Sequence, residues 1–236
     1  MDKDIFEFWA EVAPNDTIHP RDRYVLERVS HGFDLQCLPA PFGGPLRTAP
    51  VVLLYLAPGW SQEDVEEAST PEGQARHGER LRGYQPLDGP DEYMPGWKWW
   101  ASRTRAFGAW QNIRGRIAIL EISCYHSEKF MNEHVLTALP SSRVALDWAQ
   151  EVLFPQAESG DRVVICMRSP QYWGLGKKSR YGKGLFVPAA TRGGHMLKAG
   201  EHGIVRDEVI AAAIAALSRE EPRPGRLEST NENADQ

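Results

Sequence analysis

Between residues 51 and 64 the chain changes character twice. VVLLYL is an apolar, partly β-branched run, it stops at Ala57-Pro58-Gly59, and Ser61 then opens an acidic stretch. Apolar run, Pro-Gly stop and Ser N-cap predict a strand, a tight loop and a helix. Similar apolar runs predict strands over 116–122 and 162–167 and a fourth over 184–188. Amphipathic patterns predict helices over 4–12 and 20–29, and further helices are expected over 61–69, 141–153 and the Ala-rich 207–217. Residues 36–50, rich in Pro and Gly, read as loop. Residues 70–90 form a long polar connection with no clear period, a kind of segment that is usually functional or mobile. The aromatic cluster Tyr93, Trp97, Trp99, Trp100, Phe107 and Trp110 is expected to be core under a helix, with a minority facing a substrate. Strands separated by helices predict an α/β fold with a mostly parallel central sheet and helices on both faces. One domain over 1–218 is expected, followed by a disordered tail over 219–236, where Pro, Asn and charged residues accumulate.

Composition adds bounds. At 236 residues, 42% hydrophobic and 25% charged, the chain is ordinary for a globular protein with a sizeable core. No apolar run approaches the roughly 20 residues of a membrane-spanning helix. The acidic, amphipathic start MDKDIFEFWAEV fits neither a secretory signal nor a transit peptide. Three widely spaced cysteines, Cys37, Cys124 and Cys166, suggest neither a disulfide framework nor a cysteine-rich metal site. A cytoplasmic monomer without cofactor or membrane association is expected.

Charge changes the picture more. The net charge is −5, yet residues 162–200 contain no Asp or Glu. Arg162, Arg168, Lys177, Lys178, Arg180, Lys183, Arg192 and Lys198 lie in this stretch, interleaved with Tyr172, Trp173 and Tyr181. Cationic side chains with aromatics suit a phosphate backbone and unstacked bases. DNA is the expected partner, touched by Lys177, Lys178, Arg180, Lys183, Tyr172 and Trp173. A solvated basic face or a site for a small phosphorylated ligand would give the same pattern.

Three strand ends are candidates for one crevice, because α/β sheets bind ligands beyond the carboxyl ends of their strands. They are Leu56-Ala57-Pro58-Gly59-Trp60, Glu121-Ile122-Ser123-Cys124-Tyr125-His126-Ser127 and Met167-Arg168-Ser169-Pro170. Over residues 41–190 their order and spacing resemble the uracil-DNA glycosylase superfamily. That family has a strand ending in a Pro-Gly or Pro-Tyr loop, a middle strand supplying a base-reading residue, and a late strand ending in His-Pro-Ser. The resemblance implies a three-layer fold of that type and hydrolysis of the N-glycosidic bond of a flipped-out base, leaving an abasic site.

Departures from the family pattern qualify this. The Asp, Asn or Glu that the family carries at one of the two positions before the proline is replaced by Leu56 and Ala57. Met167 and Arg168 stand where the family has His-Pro, while Ser169 and Pro170 match. Arg168 would replace the histidine as a permanently charged donor to the departing base, or would hold a phosphate. Gly59 falls where uracil-specific members carry a tyrosine wall, so a 5-substituent on the base would fit. Glu121 falls where the family carries a base-reading asparagine. Ionised, it would accept from the N4 amino group of cytosine and repel O4 of uracil, although a salt-bridged strand-end carboxylate would look the same. A 5-modified cytosine, as in hypermodified phage DNA attacked by some members of the family, is the implied substrate. Ala57, Pro58, Gly59, Trp60, Glu121 and Tyr125 are the expected base-binding residues.

Cleavage passes through an oxocarbenium-like sugar, which needs charge stabilisation and a placed water. Arg168, Ser169, Glu121, His126 and Asp64 are the catalytic candidates, and Glu121, His126 or Asp64 would orient the water. Tyr172, Trp173 or Leu175 would wedge into the duplex. Cys124, His126 and His134 make a poor metal set. The competing class is a non-catalytic DNA- or nucleotide-binding protein of the same fold, favoured by Leu56 and Ala57. A nucleotide-processing enzyme lacks its GxGxxG or P-loop pattern.

Overall fold

The protein is described as a computed structural model covering residues 4–90, 96–130 and 133–219. Tyr93 and residues 220–236 of the expected tail lie outside the described residues. In chain order come α1 (Ile5–Trp9), α2 (Arg23–Leu26), β1 (Phe42–Gly43), β2 (Val51–Tyr55), α3 (Gln62–Ser69), α4 (Pro71–Arg80), α5 (Trp97–Thr104), α6 (Trp110–Ile113), β3 (Ile117–Glu121) and α7 (Val135–Ala138). Then follow α8 (Pro140–Trp148), a π-helical turn (Ala149–Leu153), α9 (Phe154–Ser159), β4 (Val163–Cys166), a 3-10 turn (Pro170–Trp173), β5 (Arg180–Tyr181), β6 (Leu185–Phe186) and α10 (Glu201–Leu217). The π turn precedes Pro155, which cannot donate into the helical ladder; widening of the helix there absorbs the defect.

The sheet order is β1-β3-β2-β4-β6-β5. The four inner strands run parallel, and the two-residue strands at either edge run antiparallel. The sheet is therefore mixed, with a parallel centre and antiparallel edges. The extra strands come from the loop before β2 and from a hairpin after the 3-10 turn, where the chain folds back on the exposed edges. Each β2, β3 and β4 residue is buried, which explains continuous apolar runs in place of alternation. Val52, Leu54, Ala118, Leu120, Val164 and Cys166 face one core with α1, α8 and α9. Val51, Leu53, Tyr55, Ile117, Ile119, Val163 and Ile165 face the other with α6 and α10. Among the described residues, no helix is long and apolar enough to cross a membrane.

Numbered among the parallel strands alone, the order is 2-1-3-4. Successive connections leave the first strand, β2, toward opposite sides, so a crevice opens at the carboxyl ends of β2 and β4.

One prediction fails in the long connection, which contains α4. Its start was legible: Thr70 accepts from the Gly73 amide at 3.1 Å, with Pro71 at the first helical position. Its inward face carries Gly73 and His77 in place of large apolar groups, so no apolar period exists to find. Gly73 is required by close approach, since a Cβ would lie 2.1 Å from the Glu67 carbonyl oxygen. α10 also begins six residues before the expected 207, through a polar first turn capped by Gly200.

His77 is buried and its Nε2 donates to the Pro39 carbonyl at 2.7 Å. Burial pushes its imidazole down to about 4. The unfolded chain takes up this proton near pH 6.5. Stability is therefore fully present above about 6.5, falls as the pH drops toward 4, and levels off below. The difference corresponds to about 3 kcal/mol. Urea unfolding at pH 7 and pH 4.5 should show this loss in the native chain and a clearly smaller loss in His77→Gln.

Candidate functional site

β2 pairs with β3 from Val51↔Ile117 to Tyr55↔Glu121, and with β4 from Val51↔Val163 to Leu54↔Cys166. The three ends thus lie side by side, and their loops are stitched together. Leu56 and Pro58 accept through their carbonyls from the amides of Ser123 (2.9 Å) and Ser127 (3.3 Å), and Leu54 accepts from Met167 (3.0 Å). His126 Nδ1 lies 2.6 Å from the Gly59 carbonyl oxygen. A carbonyl can only accept, so Nδ1 carries a proton and Nε2 is the ring's acceptor when the ring is neutral.

Asp64, in the first turn of α3, is tied to this loop through Ser61 and His126. Its Oδ2 accepts from the amide and hydroxyl of Ser61, each at 2.9 Å, and lies 3.4 Å from His126 Nδ1. Burial works against ionisation here, yet His126 and the two Ser61 donors outweigh it and hold the carboxyl below its ordinary value. Asp64 is therefore an ionised carboxylate at neutral pH, immobilised through one oxygen.

Glu121 is only 5% exposed, and its Oε2 is fully buried without a hydrogen-bond partner. Burial raises its carboxyl to about 8, against the opposing pull of Arg168. This overturns the expectation of an ionised acceptor: at neutral pH Glu121 is mostly the neutral acid, able to donate as well as accept. The salt-bridged alternative is also absent, since no cation among the described residues lies within 4.0 Å. Beside it, the Tyr55 hydroxyl is buried and equally unpartnered.

A cavity of about 490 Å³ opens past the ends of β4 and β6. Arg168, Lys177, Lys178, Arg192 and His202 line it, together with Ser169 and small or apolar residues, and it has no carboxylate in its wall. Ser169 is the one non-glycine residue among those described with a left-handed backbone (φ 53°). That conformation costs an L-residue about 1–2 kcal/mol, and such strain concentrates at functional sites. Gly59 is exposed, and a Cβ there would meet no atom within 4 Å, so the space beside the Pro-Gly loop is open. Ala57, Pro58 and Trp60 flank it half-buried.

Other expected residues lie elsewhere. Tyr125 is 1% exposed and donates to Asp22 at 2.7 Å, which in turn accepts from the Ser141 amide; it is a strut of the core and not a base-binding residue. Trp173 is fully buried and cannot touch DNA, because the 3-10 turn directs it into the core under α8 and the π turn. Tyr172 and Leu175 are half-buried against the same core. Arg180 donates to the carbonyls of Gly182 and Lys183, closing its own hairpin. Lys183 lines a separate cavity with Arg162 and Arg219, beside the start of β4 and away from the carboxyl ends. Cys124 pairs with Ser141, and among the described residues no group of His, Cys, Asp and Glu could hold a metal ion. Sequence reasoning missed Tyr55, Arg103 and His202. Tyr55 ends an otherwise aliphatic strand, which was the available clue; Arg103 and His202 carried none.

No protein-family profile, curated protein or solved structure matches the chain.

Ser169→Gly removes the penalty of the left-handed backbone. The variant should be as stable as the native chain or up to about 1 kcal/mol more stable by chemical denaturation.

Proposed function

We propose that the protein is a DNA glycosylase that hydrolyses the N-glycosidic bond of a flipped-out base, with a 5-modified cytosine as substrate class. The observation that carries this reading is the acid-free, cationic cavity at the carboxyl ends of β4 and β6, beside a buried, unpaired carboxyl at the end of β3. A phosphate backbone requires the first and a hydrogen-bonding base edge the second. Arg103, Arg105 and Lys198 extend the positive field around His195, whose imidazole burial and these cations push down. The open space at Gly59 leaves room for a 5-substituent. The uracil-DNA glycosylase resemblance of the three loops supplies the reaction type, and the fold of that superfamily is part of the proposal.

In the proposed reaction the bond between sugar C1′ and the base nitrogen breaks and the base departs with the electron pair. Arg168 stabilises that charge as a donor which cannot lose its proton. A water adds to C1′ and passes its proton to Asp64, ionised and held by Ser61. Disabling phage DNA that carries hypermodified cytosine would be a use of this chemistry.

A second reading, a non-catalytic binder of DNA or nucleotides, is favoured by one observation. The two positions where the family carries its carboxylate are a buried Leu56 and an Ala57 packed against the core.

Incubation with duplexes carrying 5-hydroxymethylcytosine, its glucosylated form, cytosine or uracil, followed by cleavage at abasic sites, separates the readings. Strand breaks are expected at 5-modified cytosine, and Asp64→Asn should lower their rate by about 10²–10⁴. Binding without abasic sites on any duplex would establish the second reading instead.

The salt dependence of DNA binding offers an independent check. Lys177→Ala with Lys178→Ala should flatten the logarithmic salt slope by up to about 1.8, or about 0.9 for each phosphate that is no longer neutralised. Lys183→Ala should leave the slope unchanged.

A further inference from the structure

Tyr55 and Glu121 are direct cross-strand partners at the last paired position of β2 and β3. Both are buried, at 2% and 5% exposure, and both end in an oxygen without a hydrogen-bond partner. A buried oxygen without a partner is costly to keep, and here two stand at neighbouring strand ends. Their surroundings are aromatic. Trp99 and Trp100 stand edge-on to the Tyr55 ring, with centroids 5.3 and 5.2 Å away. The turn at Gly193-Gly194 lies directly above: a Cβ on Gly194 would come within 3.3 Å of the Tyr55 hydroxyl oxygen. Arg103 holds this turn, donating to the Gly193 carbonyl at 3.0 Å while its guanidinium rests 4.1 Å above the Trp99 ring.

We infer that Tyr55 and Glu121 together read the amidine edge of a heterocyclic base, a ring nitrogen beside an exocyclic amino group, admitted when the Gly193-Gly194 turn lifts. The inference deepens the proposed function and rests on reading the site as a base pocket. As a neutral acid, Glu121 accepts from the amino group through its carbonyl oxygen and donates its O–H to the ring nitrogen. If the proton passes to that nitrogen, the pair becomes a carboxylate against a protonated base, joined by charge-assisted bonds, and the base becomes a better leaving group. The Tyr55 hydroxyl, kept protonated by burial and by Glu121, then donates to the carboxylate. Uracil, with a protonated ring nitrogen beside a carbonyl, cannot accept this proton. The titratable and charged groups facing Glu121 among the described residues are Tyr55 from β2 and Arg168 from the loop after β4. Arg103 from α5 acts on Tyr55 in turn.

The test is titration calorimetry of the full chain with 5-methylcytidine and with uridine at pH 6.5 and 9.5. The native chain should bind 5-methylcytidine at least tenfold more tightly than uridine at pH 6.5, and its affinity for 5-methylcytidine should fall at pH 9.5, where Glu121 is ionised and no longer donates to the ring nitrogen. Glu121→Gln, whose amide keeps a donor and an acceptor at every pH, should bind equally at both pH values. Tyr55→Phe should bind more weakly than the native chain at pH 6.5. No nucleoside binding, a pH-independent native chain, or a Glu121→Gln variant that loses affinity like the native chain would each overturn the inference. Abasic-site formation separates the two proposals. Cleavage without pH-dependent nucleoside binding ends this inference and leaves the glycosylase. Nucleoside binding that depends on pH, without cleavage, does the reverse.

Discussion

The register of β2 against β3 is the constraint on which the rest of the site depends. Val51 through Leu54 pair with Ile117 through Leu120, apolar against apolar, with both faces of each strand covered. A slip by one residue would exchange the two faces of a strand, sending the Ala118 side into the core built for the Ile117 side. The cores on either side therefore fix where the apolar pairs end, and the next pair is Tyr55 with Glu121. The carboxyl is held at the sheet edge by the packing of residues that never meet a ligand.

Electrostatically, the same edge is divided. Asp64 is ionised because Ser61 and His126 surround one of its oxygens with donors. Glu121 is kept neutral because burial gives it nothing to pair with. Two carboxyls with opposite preferences are what the proposed reaction needs in order to accept and to donate protons near neutrality. Cationic side chains occupy the outer rim, where water tempers their mutual repulsion, and Arg168 alone belongs both to the rim and to the surroundings of Glu121.

Much of this was legible in the sequence, for physical reasons. Strands β2, β3 and β4 announce themselves because burial on both faces leaves uninterrupted apolar runs, and their stops mark the crevice. The acid-free segment marked the cavity wall, which carries Arg168, Lys177, Lys178 and Arg192 and no carboxylate. Other features were hidden because they depend on direction rather than composition. Trp173 and Tyr125 look like ligand-facing groups in a one-dimensional reading, yet the 3-10 turn and the Asp22 network turn them inward. Lys183 lies six residues from Lys177 but across a hairpin, beside the other end of β4. The protonation of Glu121 is a property of its enclosure, and no neighbouring residue in the sequence encodes it. α4 was missed because its inner face is a glycine and a histidine.

Gly59 has no structural need to be glycine. Its backbone is outside the left-handed region, a side chain would project into empty space, and only its carbonyl is engaged, by His126. Most glycines at tight loops are held in place by the chain itself; this one is free to vary. The space beside the Pro-Gly loop is thus uncoupled from folding, and a single codon change can fill it with no compensating change elsewhere. Under the proposed function, a lineage facing new base chemistries would find its shortest adaptive path at this residue.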